Sequence, residues 1–290
     1  MKNYEPLEMH IKPAILEVVK EISEIHTDPQ AYASRFTSTS FVELDKRIIG
    51  LASGDLVIVA SRPGVGKSSF AVNMAVNIAK KYREKKAVIF SLEMSREQLV
   101  KRILASEAGV TIEQMKEGAV SRDGWKRISE AIDQISSLNI YIDDSTNTTV
   151  SEIKAKLEHM KNIDIVVIDY LQLLSYKGNL SEVSLELKRM AQKLGVAIIL
   201  VSQLSRKLEK RQDRRPQISD MRENGSIEQD ADVILMLYRE CFYDPEVEFP
   251  NHCQCFIKKN RRGEEGVFDL SFEGEFYRFN SAEFIYPEEN

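Results

Sequence analysis

Three cysteines in 290 residues are too few, and too odd in number, for a disulfide framework, so Cys241, Cys253 and Cys255 suit a reducing compartment. His252-Cys253-x-Cys255 has metal-ligand residue types. Two of them fall in a strand-like run and no second ligand pair appears, so a zinc role is not expected. The chain also lacks any stretch near the ~18 uninterrupted apolar residues of a membrane helix. Its opening residues mix Glu5, Glu8 and Pro13 with apolar positions and have neither the basic start nor the apolar run of a secretory leader. A cytoplasmic protein without membrane contact is expected. Net positive charge is missing too: the sum is −5, which argues against a globally basic nucleic-acid binder. There is no internal repeat and no low-complexity segment. What is present is a 43% apolar composition, ample for one large α/β domain with a short appendage.

Charge distribution says more than the sum. Between Arg206 and Arg222 stand Arg206, Lys207, Lys210, Arg211, Arg214, Arg215 and Arg222, against Glu209, Asp213 and Asp220, a local excess of positive charge. A solvated, mobile surface loop explains such a run by itself. Its place directly after an apolar strand that ends in polar residues argues for more.

Ile11, Ile15, Val18, Val19, Ile22 and Ile25 fall at helical spacing, which predicts an amphipathic helix over about residues 10–25, with Pro13 in its first turn. Residues 27–40, with Pro29 and several Ser and Thr, read as a linker. The expected division is a linker helix and connector over 1–38 and a main domain over 39–290. The apolar stripe must be covered by its own domain or by a neighbouring subunit, and the sequence favours neither. Beyond the linker, strands at 56–60, 87–91, 140–142, 165–169 and 196–201 alternate with helices at 67–82, 95–108, 121–137, 150–160 and 181–194. Such alternation predicts a mainly parallel sheet flanked by helices. Continuous apolar runs such as Ile165-Val166-Val167-Ile168 are what strands buried on both faces require. Strands at 233–238, 254–258, 267–272 and 276–279 follow without long helices and are expected to extend one edge antiparallel.

Ser61-Arg62-Pro63-Gly64-Val65-Gly66-Lys67-Ser68 joins the first strand to the first long helix, the context of a phosphate-binding loop. Glycines at 64 and 66 let successive N–H groups turn inward on a polyphosphate, and the helix N-terminus adds partial positive charge. Arg62, Gly64, Gly66, Lys67, Ser68 and Ser69 are the candidate ATP contacts, with Lys67 on the β- and γ-phosphates and Ser68 on Mg²⁺. Ser61 stands where the common pattern has its first glycine. Asp169, at the end of a buried strand, suits a Walker B carboxylate reaching Mg²⁺ through water; a turn-capping Asp is the alternative. Glu93, just past strand 87–91, is placed to orient and deprotonate the attacking water, and it can at the same time belong to the first turn of the helix capped by Ser95. Gln203, past strand 196–201, is placed to sense the γ-phosphate next to the basic segment.

Together with Ser91-Leu92-Glu93-Met94-Ser95, Ile168-Asp169-Tyr170-Leu171-Gln172-Leu173-Leu174, Ser202-Gln203-Leu204-Ser205-Arg206 and the run from Arg214 to Asp232, the phosphate loop makes the chain resemble the C-terminal motor domain of DnaB-type replicative DNA helicases, RecA-like P-loop ATPases. The resemblance runs from about Thr39 to Phe279. It implies a RecA-like fold, ATP and Mg²⁺, a hexameric homo-oligomeric ring, and 5′-to-3′ translocation on single-stranded DNA during replication. A recombination or loading ATPase that uses nucleotide as a switch is the alternative. By the same resemblance Arg222, Glu223 and Gly225 grip the DNA backbone, and Lys259 and Arg261 complete the ATP site of a neighbouring subunit. A helicase loader is an implied partner. Family members ordinarily carry a further helical domain that contacts primase; this sequence starts at the linker helix, so primase is not carried over. Asn224 also departs from the family's usual Ser.

Overall fold

The computed structural model describes residues 11–146, 148–169, 171, 174, 180–224 and 227–281, with 31, 180, 181 and 222–224 placed by backbone alone. The chain divides into two compact units, residues 1–37 and 38–290. In the first, α1 (Ile11–Thr27) carries Ile11, Ile15, Val18, Val19 and Ile22 exposed and is followed by the short α2 (Pro29–Ala33). Tyr32 donates to Glu21 (3.2 Å) and Arg35 pairs with Glu24, joining the two helices. The stretch expected to be a plain linker therefore contains a helical turn.

Among the described residues the second unit is built on a nine-stranded sheet in the order β3-β2-β4-β5-β1-β6-β7-β8-β9. Its parallel strands are β1 (Leu56–Ser61), β2 (Ala87–Ser91), β3 (Ile140–Asp143), β4 (Ile165–Asp169), β5 (Ala197–Gln203) and β6 (Val233–Tyr238). The antiparallel extension is β7 (His252–Asn260), β8 (Gly266–Glu273) and β9 (Arg278–Ser281). One expectation is corrected: β6 does not begin the antiparallel edge. It pairs parallel to β1, Val57 opposite Val233 and Ala60 opposite Met236. The segment between β5 and β6 is long enough to return the chain to the starting end of the sheet, which a parallel pairing requires.

Helices cover both faces. α3 (Val42–Ile48), α4 (Lys67–Lys81) and α5 (Arg96–Ala108) pack Leu44, Ile48, Phe70, Met74 and Leu99 against Val57, Val59, Val167 and Ile199. On the other face α8 (Val150–Met160), α9 (Leu180–Leu194) and α10 (Ile227–Asp230) pack Ile153, Leu157, Leu187 and Ile227 against Leu56, Ile58, Val166 and Ile198. The period-two alternation along each strand assigns successive residues to the two cores. A smaller cluster, Ala108, Val110, Ile128 and Ala131, joins α5 to α7 (Arg122–Ser136) beside the short α6 (Ile112–Glu117). Cys253 and Cys255, two apart on β7, both point into the first core, and burial pushes the Cys253 thiol up to about 12. His252 instead meets Asp269, 2.7 Å away.

Candidate functional site

The parallel strands end on one edge, where ligands of open α/β sheets bind, and the polar residues singled out above collect there. Ser61 is the last residue of β1 and lies in extended backbone, so its position needs no glycine; its hydroxyl donates to the Arg62 carbonyl (2.9 Å). Gly64 and Gly66 do need to be glycine. Their φ values are +82° and +119°, and a Cβ on Gly66 would stand 2.9 Å from Phe279 Cζ. Gly66 caps α4 without a side-chain bond, which leaves the first-turn N–H groups of a 15-residue helix aimed at the loop's hollow.

Lys67 and Ser69 are buried at the start of α4. The Ser68 hydroxyl donates to Asp169, whose side chain is almost wholly buried at the end of β4. Burial pushes the Asp169 carboxyl up to about 6 and the negative charge of Glu93 adds to that, while the Ser68 hydrogen bond and the charges of Lys67 and Arg102 pull the other way. Asp169 Oδ1 is buried without a hydrogen-bond partner. An orphaned carboxylate oxygen next to a serine hydroxyl is a hard oxygen donor set, and it fits Mg²⁺.

Register brings the remaining groups in. Ser91 lies opposite Asp169, the Leu92 N–H donates to the Asp169 carbonyl (2.8 Å), and the Ser91 hydroxyl closes the turn on the Met94 carbonyl (2.7 Å). Glu93 stands exposed on that turn, two residues before Ser95, which caps α5 in a reciprocal box with Gln98. Gln203 ends β5 opposite Ser61, and the Leu204 N–H donates to the Ser61 carbonyl (3.0 Å).

A cleft of about 450 Å³ lies over the loop, floored by Gly64, Gly66, Lys67, Ser68 and Ser69 and bounded by Glu93. Its far wall comes from residues no motif flagged: Arg102 from α5, with its guanidinium 4.5 Å from the centre of the Tyr277 ring, and Arg239, 4.6 Å from that of Phe272. Such cation and ring pairs offer flat faces for a nucleotide base. They were invisible in sequence because they come from α5, the end of β6 and the antiparallel extension, not from the loop. A second groove of about 430 Å³ between α8 and α9 is similar in size, but Lys154, Glu158, Glu186, Arg189 and Lys193 make it a ring of mixed charge, and the start of α8 that borders it is already closed by the Thr149–Glu152 capping box. Size does not identify the site; the convergence of loop, carboxylates and helix end does.

Other sequence-flagged residues lie elsewhere. Arg62 turns away from the cleft: its Nη1 donates to the Leu204 carbonyl and its Nε to Glu209, each 2.7 Å. Lys259, near the end of β7, and Arg261, just past it, sit at the end of the sheet where β1 starts, since Asn260 lies opposite Val233 and Val233 opposite Val57. Lys259 donates to the carbonyls of Glu228 (2.6 Å) and Gln229 (3.1 Å), and Arg261 Nη2 to that of Gln229 (2.8 Å). Burial, and then the charge of Arg261, lower the pKa of Lys259. Arg222 and Glu223 fall in the 3₁₀ turn Ile218–Asn224, their side chains outside the described residues, as is Gly225 altogether. The basic segment is not a mobile loop: Leu208 and Met221 are buried, and Arg211 forks onto Asp220 at 2.9 and 3.1 Å.

A parallel sheet carrying a phosphate loop, a buried strand-end aspartate and an exposed glutamate one strand away defines a RecA-like P-loop ATPase domain. The chain belongs to the family described as the DnaB-like helicase C terminal domain, whose model matches residues 37–281. It is 41% identical over 285 residues to the replicative DNA helicase DnaC of Bacillus subtilis (strain 168), and 40% identical over 285 residues to the replicative DNA helicase DnaB of Geobacillus stearothermophilus. Each match covers 94% of this chain but 62% of the relative, so the chain spans less than two thirds of their length. Among solved structures, an isolated ATPase domain superposes with a TM-score of 0.85 at 35% identity, covering 95% of this chain and 100% of that one. A DnaB-like replicative helicase gives the same TM-score and identity over 94% of this chain and 67% of that one. Among the described residues no helix is long and apolar enough to cross a membrane.

Proposed function

We propose that the chain is the motor of a ring-forming, ATP-hydrolysing DNA helicase that moves 5′-to-3′ along single-stranded DNA in the cytoplasm. One observation carries this reading: the phosphate loop and the Lys259–Arg261 turn occupy opposite ends of one sheet. The length of β1 alone is about 17 Å at ~3.3 Å per residue, so Arg261 cannot serve its own loop. A head-to-tail neighbour can bring the two together, and repetition of one such heterologous contact closes a ring, here a hexamer.

Within each interface the loop N–H groups and Lys67 bind the phosphates of ATP. Ser68 and Asp169 would hold Mg²⁺, which neutralises phosphate charge when bound. Glu93, exposed toward the cleft, orients the attacking water and takes its proton. Arg261 and Lys259 of the next subunit stabilise the charge that builds on the transferred phosphoryl group. Gln203, tied to the phosphate loop through Leu204 and Ser61, reports γ-phosphate occupancy to the basic segment that follows. Arg222, Glu223 and Gly225 grip the strand's backbone, a contact that reads no base and so suits a motor.

The test pairs two assays. ATP turnover is measured with and without a dT oligonucleotide, and strand displacement on forked duplexes with either a 5′ or a 3′ loading tail. Stimulated turnover with displacement from the 5′ tail supports the motor. Stimulated turnover with no displacement on either fork would make it a recombination or loading ATPase that uses ATP as a switch.

A further inference from the structure

The side chain of Arg62 poses a physical question that phosphate binding does not answer. It is 6% exposed and points out of the nucleotide cleft, and a buried guanidinium is costly unless its donors are met. They are met by the segment that follows Gln203: the Leu204 carbonyl on Nη1 and the Glu209 carboxylate on Nε. Lysine, with one nitrogen on a flexible stem, could not fork between those two acceptors. With the Leu204 N–H on the Ser61 carbonyl, three bonds join the phosphate loop to residues 204–209.

The connection continues without a gap. Glu209 lies in the 3₁₀ turn Arg206–Lys210, and the next residue, Arg211, makes its fork onto Asp220. Asp220 is buried, accepts the Gln217 N–H on Oδ2 (2.8 Å), and through its carbonyl accepts the Ser205 N–H (3.0 Å). It belongs to the same short turn, Ile218–Asn224, as Arg222 and Glu223. A shift of that turn must therefore move Asp220, then Arg211 and Ser205, then Glu209 and Leu204, and then the guanidinium that holds the loop.

We infer that Arg62, acting with Glu209, is a positioning residue that couples strand contact at residues 218–224 to ATP turnover at the phosphate loop. This inference rests on the motor reading above and names a route for its DNA dependence beside the one through Gln203. Because the coupling runs through a loop-to-loop tie, losing the tie should change how turnover responds to DNA and spare how ATP is bound.

The experiment uses the full chain, saturating Mg²⁺-ATP and a dT₄₀ strand. Glu209, 41% exposed on its side chain, can be changed without threatening the fold. Glu209→Ala, which removes the acceptor, is expected to leave basal turnover and KM for ATP unchanged and to lower the dT stimulation ratio by about fivefold, the coupling a single step of this kind carries. Arg62→Lys should lose stimulation likewise, and the double variant should respond no worse than either single one, since all three interrupt one path. An unchanged stimulation ratio in Glu209→Ala would overturn the inference. So would an Arg62→Lys variant whose KM for ATP rises while stimulation stays intact, the mark of a direct phosphate contact. If the unmodified chain shows no stimulation, the strand-gripping reading itself fails; Arg222→Ala, expected to lose stimulation together with dT affinity, separates that outcome from a failure of the Arg62 tie alone.

Discussion

The two ends of the central sheet are built on different principles. At the loop end the phosphate loop, the start of α4 and the turn after β2 surround a hollow, and the buried Asp169 oxygen at the end of β4 is left without a partner. At the other end the charged groups are bonded to their own chain: Lys259 and Arg261 to the carbonyls of Glu228 and Gln229, Lys188 to Asp232 (2.6 Å), and Arg262 to Asp55 through two short bonds. One end is organised to receive a ligand and the other to hold a rigid projection. On the proposed reading, a single chain carries the residues of an ATP site and yet cannot assemble one, because its two halves face away from each other.

The largest effects should come from removing either half. Lys67→Ala and Arg261→Ala should each lower turnover by ~10³ or more, but for different reasons. Nucleotide affinity should fall in the first and survive in the second, a contrast that equilibrium binding of a fluorescent ATP analogue would measure; equal loss in both would erase the distinction between the ends. Glu93→Gln should cost roughly 10² in turnover and leave ATP bound but unhydrolysed, visible as a stable complex in size analysis. Loss of binding in that variant would return Glu93 to a helix-opening role.

Asp169 gives a pH signature specific to the loop end. Its carboxyl titrates near 6 when the ion is absent, above the unfolded value of ~3.9, so the folded chain favours the protonated form. Stability from this group is therefore present below the unfolded value and is lost as pH rises from about 4 through 6. Asp169→Asn should stabilise the nucleotide-free protein at pH 8 by on the order of 3 kcal/mol, with the gain shrinking toward pH 4. It should also abolish the Mg²⁺-dependent part of ATP stabilisation. Thermal melts across pH would check both. The smallest effect belongs to Arg222→Ala, which should weaken dT, dA and mixed strands alike and reduce the salt slope of binding by about 0.7. A base-selective loss would mean that the turn reads sequence.

Much of this was legible from the sequence because local and global signals agree. A continuous apolar run that ends in Asp169, and a glycine-bearing turn between a strand and a helix, permit few structures. Less legible were features set by distant pairing. The parallel placement of β6 depends on a return to β1, though Val233 to Leu237 is an unbroken apolar run of the kind a doubly buried strand needs. Arg102, Arg239 and Tyr277 become neighbours of the loop only through the packing of α5, β6 and the sheet's extension around it. Arg62 shows the limit of reading by motif: its position in the loop suggests phosphate contact, whereas burial and hydrogen bonding point its side chain the other way. The short helices α3 and α6 were missed for want of periodicity, but Thr111 and Gln114 form a capping box that marks the start of α6.

The central claim, that each ATP site takes its loop from one subunit and its Lys259–Arg261 turn from the next, is tested most directly by mixing two inactive chains. Lys67→Ala and Arg261→Ala proteins are combined at varied ratios, allowed to exchange subunits, and assayed for ATP turnover with dT₄₀ present. Interfaces that pair an intact loop with an intact turn should appear in the mixture, so activity should rise above that of either variant and peak at intermediate ratios. Turnover that stays at the level of the separate variants at every ratio, in mixtures shown to form joint rings, would contradict the claim.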